Sequence, residues 1–388
     1  MLGLAYAWSM FVGPIEDSMG WVRTQTSLVF TASMICFFAG NTLGGFLSMR
    51  FSLKKVFIAS AVSFGVAFGI CSVSTQVWQL CIFYGIFGGL TTGCSYMALQ
   101  SNISKWFYDR MGFALGTMMM GFALGSFILG AGVNKLILQI GWRLTFRVMA
   151  AVYFAVLVLM AVLIAPPAAD SQQGGRGPAV PAEQLARGYK PSEMLRTREF
   201  WTFFLTGSFT MAISVTVIGN IAVVAASLGA SPAVCVLATG AVSIGNAICR
   251  VISGSLYDKK GRKFTLRLIS WLALISSSLL EIAVIMKSLP LLFIAFLAVG
   301  ANYGCISPIH SVVLRDYFGY RFHSVNYGIN GLNGTISSVA GAMLAGVIQT
   351  NTGNYALSFA MLPFYGAIAF VLVHILKDPK DWHEQPLH

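Results

Sequence analysis

Apolar stretches of about twenty residues recur through this chain from end to end, and that recurrence limits its fold more than any other feature. They run over 25–49, 54–74, 77–99, 112–134, 143–165, 200–228, 233–257, 264–286, 289–313, 324–348 and 354–376. At 1.5 Å per residue each is long enough, as a helix, to cross a hydrocarbon core of about 30 Å. Ahead of them lies MLGLAYAWSMFVG, thirteen apolar residues that would make only about 20 Å of helix. It has no basic segment before it, as a signal peptide would. The expectation is a first span cut at its N-terminus, with a cytoplasmic lead missing. With 56% hydrophobic and 10% charged residues, a soluble globule is excluded. The reading is an all-α membrane protein of twelve spans.

A net charge of +12 would suit a nucleic-acid partner if it were gathered in one domain. It falls instead in short clusters between apolar runs, the pattern of positive-inside topology. Nucleic acid is excluded, and the partners expected are the lipid bilayer and a small solute, with the chain a monomer. The seven cysteines lie within apolar segments, are odd in number and show no CxxC spacing, so they read as packing residues, with neither a disulfide framework nor a zinc site supported, and no cofactor is expected.

Residues 166–198 break the apolar pattern with Pro, Gly, Gln, Ala and charge, as a solvated linker does. The expected organisation is a six-helix bundle over 1–165, a linker over 166–198, a second six-helix bundle over 199–377 and a tail over 378–388. Lys and Arg concentrate in alternate loops: Arg50, Lys54 and Lys55; Lys105 and Arg110; five in the linker; five from Lys259 to Arg267; Arg315 and Arg321; Lys377 and Lys380. The other side holds Arg23, Lys135, Arg143, Arg147 and Lys287. Linker and C-terminus are therefore expected in the cytoplasm of a multi-pass cell-membrane protein. An internal repeat agrees: GFLSMRFSLKK from Gly45 is matched by GSLYDKKGRK from Gly254, and Trp106-Phe107 by Tyr317-Phe318. Parallel six-helix repeats carry their substrate near the bilayer midplane.

Within 233–257 the polar residues Thr239, Ser243, Asn246, Arg250, Ser253 and Tyr257 are spaced four, three, four, three and four. On an α-helix they form one stripe, which should face protein or water. Arg250 lies two turns before Asp258, at least about 10 Å inside the boundary. A cation at that depth costs about 2.5 kcal/mol or more and marks a substrate or ion pathway; the alternative is an arginine that snorkels to the surface. In the eleventh span Asn326, Asn330, Asn333 and Ser337 make a second, neutral stripe, with Tyr327 beside it. His310 after Pro308 reads either as a proton relay or as a hydrogen-bonded bundle histidine. Tyr6, Trp8, Tyr96 and the run Met118 to Met120 read as an aromatic and apolar wall or as packing.

The turn Gly254 to Lys263 resembles the cytoplasmic-loop signature of the major facilitator superfamily. Within it, YAWS from Tyr6, KWFYDRMGFALG from Lys105, PSEMLRTREFW from Pro191, NAICRVISG from Asn246 and DYFGYRFHSVNYG from Asp316 look like the oxalate/formate antiporter family and its monocarboxylate-porter relatives. The resemblance implies a fold of two six-helix bundles and a secondary carrier of small organic anions. It also implies that the span-eight arginine, here Arg250, is the carboxylate partner. The gating loop it implies comprises Gly254, Asp258, Lys259, Gly261 and Arg262, with Arg50 in the first repeat. Three positions depart from the pattern. No lysine occurs between Lys287 and Lys377, where the oxalate carrier has one in span eleven; Asn246 stands where proton-coupled relatives carry Asp; and Met49 replaces the Asp of the first loop.

The substrate set expected is therefore Arg250, Asn246, Ser243, Asn330, Asn333, Tyr327, Tyr6, Trp8 and His310. One guanidinium pairs with one carboxylate in a fork, and Asn amides add hydrogen bonds without charge. A monovalent anion such as formate, lactate or pyruvate fits better than oxalate. Exchange is the expected mode, since an empty carrier would hold an uncompensated cation. Proton symport is the alternative, and a non-transporting sensor of the same fold the more distant one. No nucleophile and base pair, metal cluster or phosphate loop suggests an enzyme.

Overall fold

In the computed structural model, residues 8–107, 110–164, 187–218, 220–352 and 355–377 are described. They are helical almost throughout, and among them there is no strand, only one antiparallel bridge between Gly188 and Gly319. In chain order the helices are α1 (Trp8–Met19), α2 (Arg23–Arg50), α3 (Leu53–Cys71) and α4 (Val77–Trp106). The single helical run Met111–Leu163 bends at Gly141, whose φ of +75° is left-handed, giving α5 (111–140) and α6 (142–163). A short turn, Pro191–Met194, leads into α7 (Arg198–Ile218, continued by Ile221–Ser227). Pro232–Ile285 bends in the same way at Gly261, φ +77°, into α8 (232–260) and α9 (262–285). Then come α10 (Leu289–Phe318), α11 (323–352, in several pieces) and α12 (355–375). Among the described residues eight helical stretches are long and apolar enough to cross a membrane, with Leu237–Ile285, which holds both α8 and α9, counted once. The chain's start, Tyr6 included, most of the linker and the tail from 378 lie outside the described residues.

Two helices depart from regular α geometry. In α4, Cys81–Gly88 is a π-turn, and in α11 the sequence stripe is interrupted twice. The helix stops at Asn330, restarts at Asn333, and passes through a π-turn at Val339–Met343. Glycines at 328, 331 and 334 supply few side-chain contacts to hold a continuous helix. The four, three and four spacing of Asn326, Asn330, Asn333 and Ser337 therefore does not make one continuous face.

The chain forms two compact units. The first comprises 1–106, 121–179 and 324–332; the second comprises 107–120, 180–323 and 333–388. The core of the first is aromatic: Phe11 stacks on Phe146 at 4.4 Å, Phe64 on Tyr153 at 5.0 Å, and Phe68 packs against both Phe146 and Tyr153. Such pairs add about 0.5 to 1.5 kcal/mol each beyond the area they bury. In this unit the start of α11 lies on α2, where the Thr42 hydroxyl donates to the Gly328 carbonyl at 2.8 Å, and the Ser101 and Ser324 hydroxyls meet at 2.6 Å. The second unit is centred on Phe296, Leu292, Leu280, Phe359 and Val224, all fully buried.

Within the second unit, α8 shows how the sequence sorts its faces. Ile244, Ile248 and Ile252, four apart, are 57%, 52% and 53% exposed. That apolar, outward row suits lipid. Arg250 lies about 200° round the helix from Ile248 and is only 4% exposed.

Candidate substrate site and gate

Arg250 points into its unit. Its Nε donates to the Asn246 side-chain oxygen at 2.9 Å, one turn back, and Nη1 donates to the Met119 carbonyl of α5 at 3.1 Å. Tyr303 of α10 lies beneath it, the ring centroid 5.8 Å from Cζ, within reach of a cation–π attraction. These partners are all neutral, and among the described residues Arg250 has no carboxylate partner. A guanidinium has five N–H donors. Two are used, so one hydrogen on Nη1 and both on Nη2 remain for an incoming acceptor. A carboxylate placed along that edge would complete the bidentate fork.

The Met118 to Met120 run thus contributes in a way the sequence reading missed: Met119 acts through its backbone oxygen. Tyr303 was missed as well. Gly112 and Gly116, spaced four apart, are the signal that could have revealed the α5 contact. A Cβ at Gly116 would lie 2.3 Å from the Arg250 carbonyl, and one at Gly112 would lie 2.5 Å from the Gly254 carbonyl. Only hydrogen side chains let α5 come close enough for the Met119 carbonyl to meet the guanidinium.

The remaining candidates fall into separate places. Ser243 is exposed and its hydroxyl bonds back to Thr239 of the same helix. In the second unit His310 and Asn333 are buried together, the imidazole Nδ1 3.4 Å from the Asn333 amide nitrogen, with Phe203 edge-on to the ring. In the first unit Asn330 is 1% exposed with neither amide atom hydrogen-bonded among the described residues, and Tyr327 is half-buried. Trp8, also in the first unit, is buried against Tyr84 and its indole N–H donates to the Thr26 carbonyl at 3.1 Å. The structure thus groups Arg250 with Asn246, and His310 with Asn333.

The residues expected to form a gating loop are placed at the end of α8 and the start of α9. Asp258, at the end of α8, accepts from the backbone N–H groups of Gly112 and Phe113 at 3.1 and 2.8 Å. A carboxylate there satisfies donors in the first turn of α5 and faces the positive end of its dipole. Gly261 supplies the left-handed bend, and the Arg262 guanidinium lies 4.9 Å over the Tyr317 ring. Tyr257 donates its hydroxyl to Asp316, which also pairs with Arg315. Lys259 is exposed, as is Arg50, the last residue of α2 in the first unit. Asp258→Asn keeps an acceptor but removes the charge, a loss of about 0.3 to 1 kcal/mol. The expected result is a two- to fivefold faster deuterium uptake at the Gly112 and Phe113 amides, measured by hydrogen-exchange mass spectrometry.

The family model of the Major Facilitator Superfamily matches residues 1–219 and 204–387. The chain belongs to the major facilitator superfamily. Among superfamily relatives it is 24% identical to the oxalate:formate antiporter of Oxalobacter formigenes over 374 residues, 95% of this chain and 86% of that protein. It is 23% identical to monocarboxylate transporter 13 of Rattus norvegicus over 353 residues, 90% of this chain and 78% of that one. The proton:xylose symporter XylE, bound to 6-bromo-6-deoxy-D-glucose, superposes with a TM-score of 0.70 at 16% identity, covering 97% of this chain and 94% of XylE. That likeness establishes the major facilitator fold. The protein is a multi-pass membrane transporter of this superfamily.

Proposed function

We propose that the chain is a secondary carrier of small monovalent carboxylates, working by alternating access and anion exchange in the cell membrane, with its linker and C-terminus cytoplasmic. The six-helix repeats 1–165 and 199–377 are the moving bodies of this reading. The observation that carries it is Arg250: a buried cation with neutral partners and three unused N–H donors. Relatives named for oxalate, formate and monocarboxylate transport support the substrate class. The single charge supports the monovalent choice, because a dianion would leave one charge uncompensated in a poorly solvated site.

Exchange follows from the same charge. Carrying an unpaired guanidinium through an occluded state costs several kcal/mol, and a bound anion removes most of that cost. The return step is therefore fast only when loaded. In proteoliposomes, labelled formate, lactate or pyruvate is expected to enter at least tenfold faster when unlabelled anion is trapped inside. Equal rates with empty vesicles would overturn exchange, and accumulation driven by a pH gradient alone would replace it with proton symport. Absence of uptake for every carboxylate tried, by reconstituted and folded protein, would overturn the carrier assignment for this class.

A further inference from the structure

We propose that Cys249 and Cys305 form an oxidisable dithiol, and that its closure to a disulfide staples α8 to α10 beside Arg250 and arrests transport. The two helices approach closely along this seam. A Cβ at Gly300 would lie 2.2 Å from the Val242 carbonyl, and one at Gly304 would lie 2.3 Å from the Asn246 carbonyl. Cys305 follows Gly304 directly, and Cys249 is one turn beyond Asn246. The Cys305 thiol lies 3.8 Å from the Cys249 carbonyl oxygen, to which it donates. A disulfide needs Cα atoms about 4.4 to 6.8 Å apart with the Cβ atoms facing. The contact at Gly304 brings the two backbones together beside this pair, the close approach that such a bond requires. Both sulfurs are thiols in this structure.

The chemistry needs one two-electron oxidant, and a hydroperoxide supplies it. Cys249 is half-buried and Cys305 is buried, so Cys249 is the one that meets the reagent first. Its thiolate attacks a peroxide oxygen, the O–O bond breaks, and a sulfenic acid forms as water or an alcohol leaves. The Cys305 sulfur then attacks the sulfenic sulfur; the S–S bond forms, the S–O bond breaks, and a second water carries away the oxygen and the thiol proton. Two thiols lose two electrons and the peroxide gains them. Both helices belong to the same moving body, so the bond acts on the site and not on the rocking of the repeats: it joins α8 and α10 one residue from the guanidinium and fixes Arg250 against Tyr303, and the side chain can no longer re-seat on an incoming anion.

The staple stands on the thiol geometry alone, whereas the arrest rests on the carrier reading. Protein in proteoliposomes is treated with hydrogen peroxide, alkylated, digested and analysed for linked peptides, with anion exchange measured in parallel. The expected result is a peptide pair joined through Cys249 and Cys305, a loss of exchange of at least tenfold, and recovery of both with dithiothreitol. Cys249→Ser and Cys305→Ser are expected to retain exchange and to resist peroxide. Oxidation of other cysteines with no Cys249–Cys305 pair would overturn the site. A linked pair with exchange intact would overturn the arrest. If reduced protein exchanges no carboxylate at all, the carrier reading fails, while the linked-peptide result still decides the dithiol.

Discussion

Arg250→Gln is expected to lower carboxylate exchange about 100-fold or more, with the protein still folded and inserted. Among the described residues the guanidinium is the only charge this constellation would offer the proposed anion, and removing one partner of a buried charge pair costs about 3 to 5 kcal/mol. At about 1.4 kcal/mol per factor of ten, that is roughly two to three and a half decades. Glutamine keeps a donor and much of the stem, so Met119 and Asn246 retain a neighbour that can hydrogen-bond. Arg250→Lys separates charge from geometry. An ammonium carries the charge but cannot hold Asn246, the Met119 carbonyl and a carboxylate fork at once, and most of the loss should persist. The measurement is exchange of labelled formate and pyruvate, with thermal unfolding in detergent as the folding control. Exchange within threefold of the native protein in Arg250→Gln would remove Arg250 from the substrate site.

The sequence made this residue legible because burial and charge rarely coincide. The spacing from Thr239 to Tyr257 marked one face of α8, and the isoleucines at 244, 248 and 252 are found on the lipid-suited face opposite. Span positions were legible for the same reason: apolar length has one cheap solution in a bilayer. The bends at Gly141 and Gly261 fall in the gaps between expected spans. Tertiary detail was not legible. The polar residues of α11 looked continuous, but a helix rich in glycine breaks where its neighbours allow, at Gly331 and Leu332. Met119 was hidden because a backbone carbonyl has no sequence signature. Its only trace was the pair of glycines that lets the helices touch.

Gly254→Val tests that touch directly and should nearly abolish exchange. The Cβ would lie 2.0 Å from the Gly112 carbonyl oxygen and 2.4 Å from its carbon. Backbone atoms inside α5 cannot yield as a flexible side chain would, so the helices must part. Separation takes with it the two bonds from Gly112 and Phe113 to Asp258 and the Met119 contact to Arg250. Deuterium uptake by the backbone around Gly112 and Phe113 should rise at least tenfold, since those amides lose their acceptor. Gly261→Ala is the informative control. It strains a positive-φ, extended backbone position that favours glycine by about 1 to 3 kcal/mol, yet a Cβ there meets nothing within 4 Å. It should lower thermal stability while leaving amide protection at the start of α5 and the anion affinity near native. If both variants behave alike, the loss comes from general destabilisation. If Gly254→Val alone speeds exchange of the α5 amides and stops transport, the close seating of α5 on α8 is what the transport cycle requires.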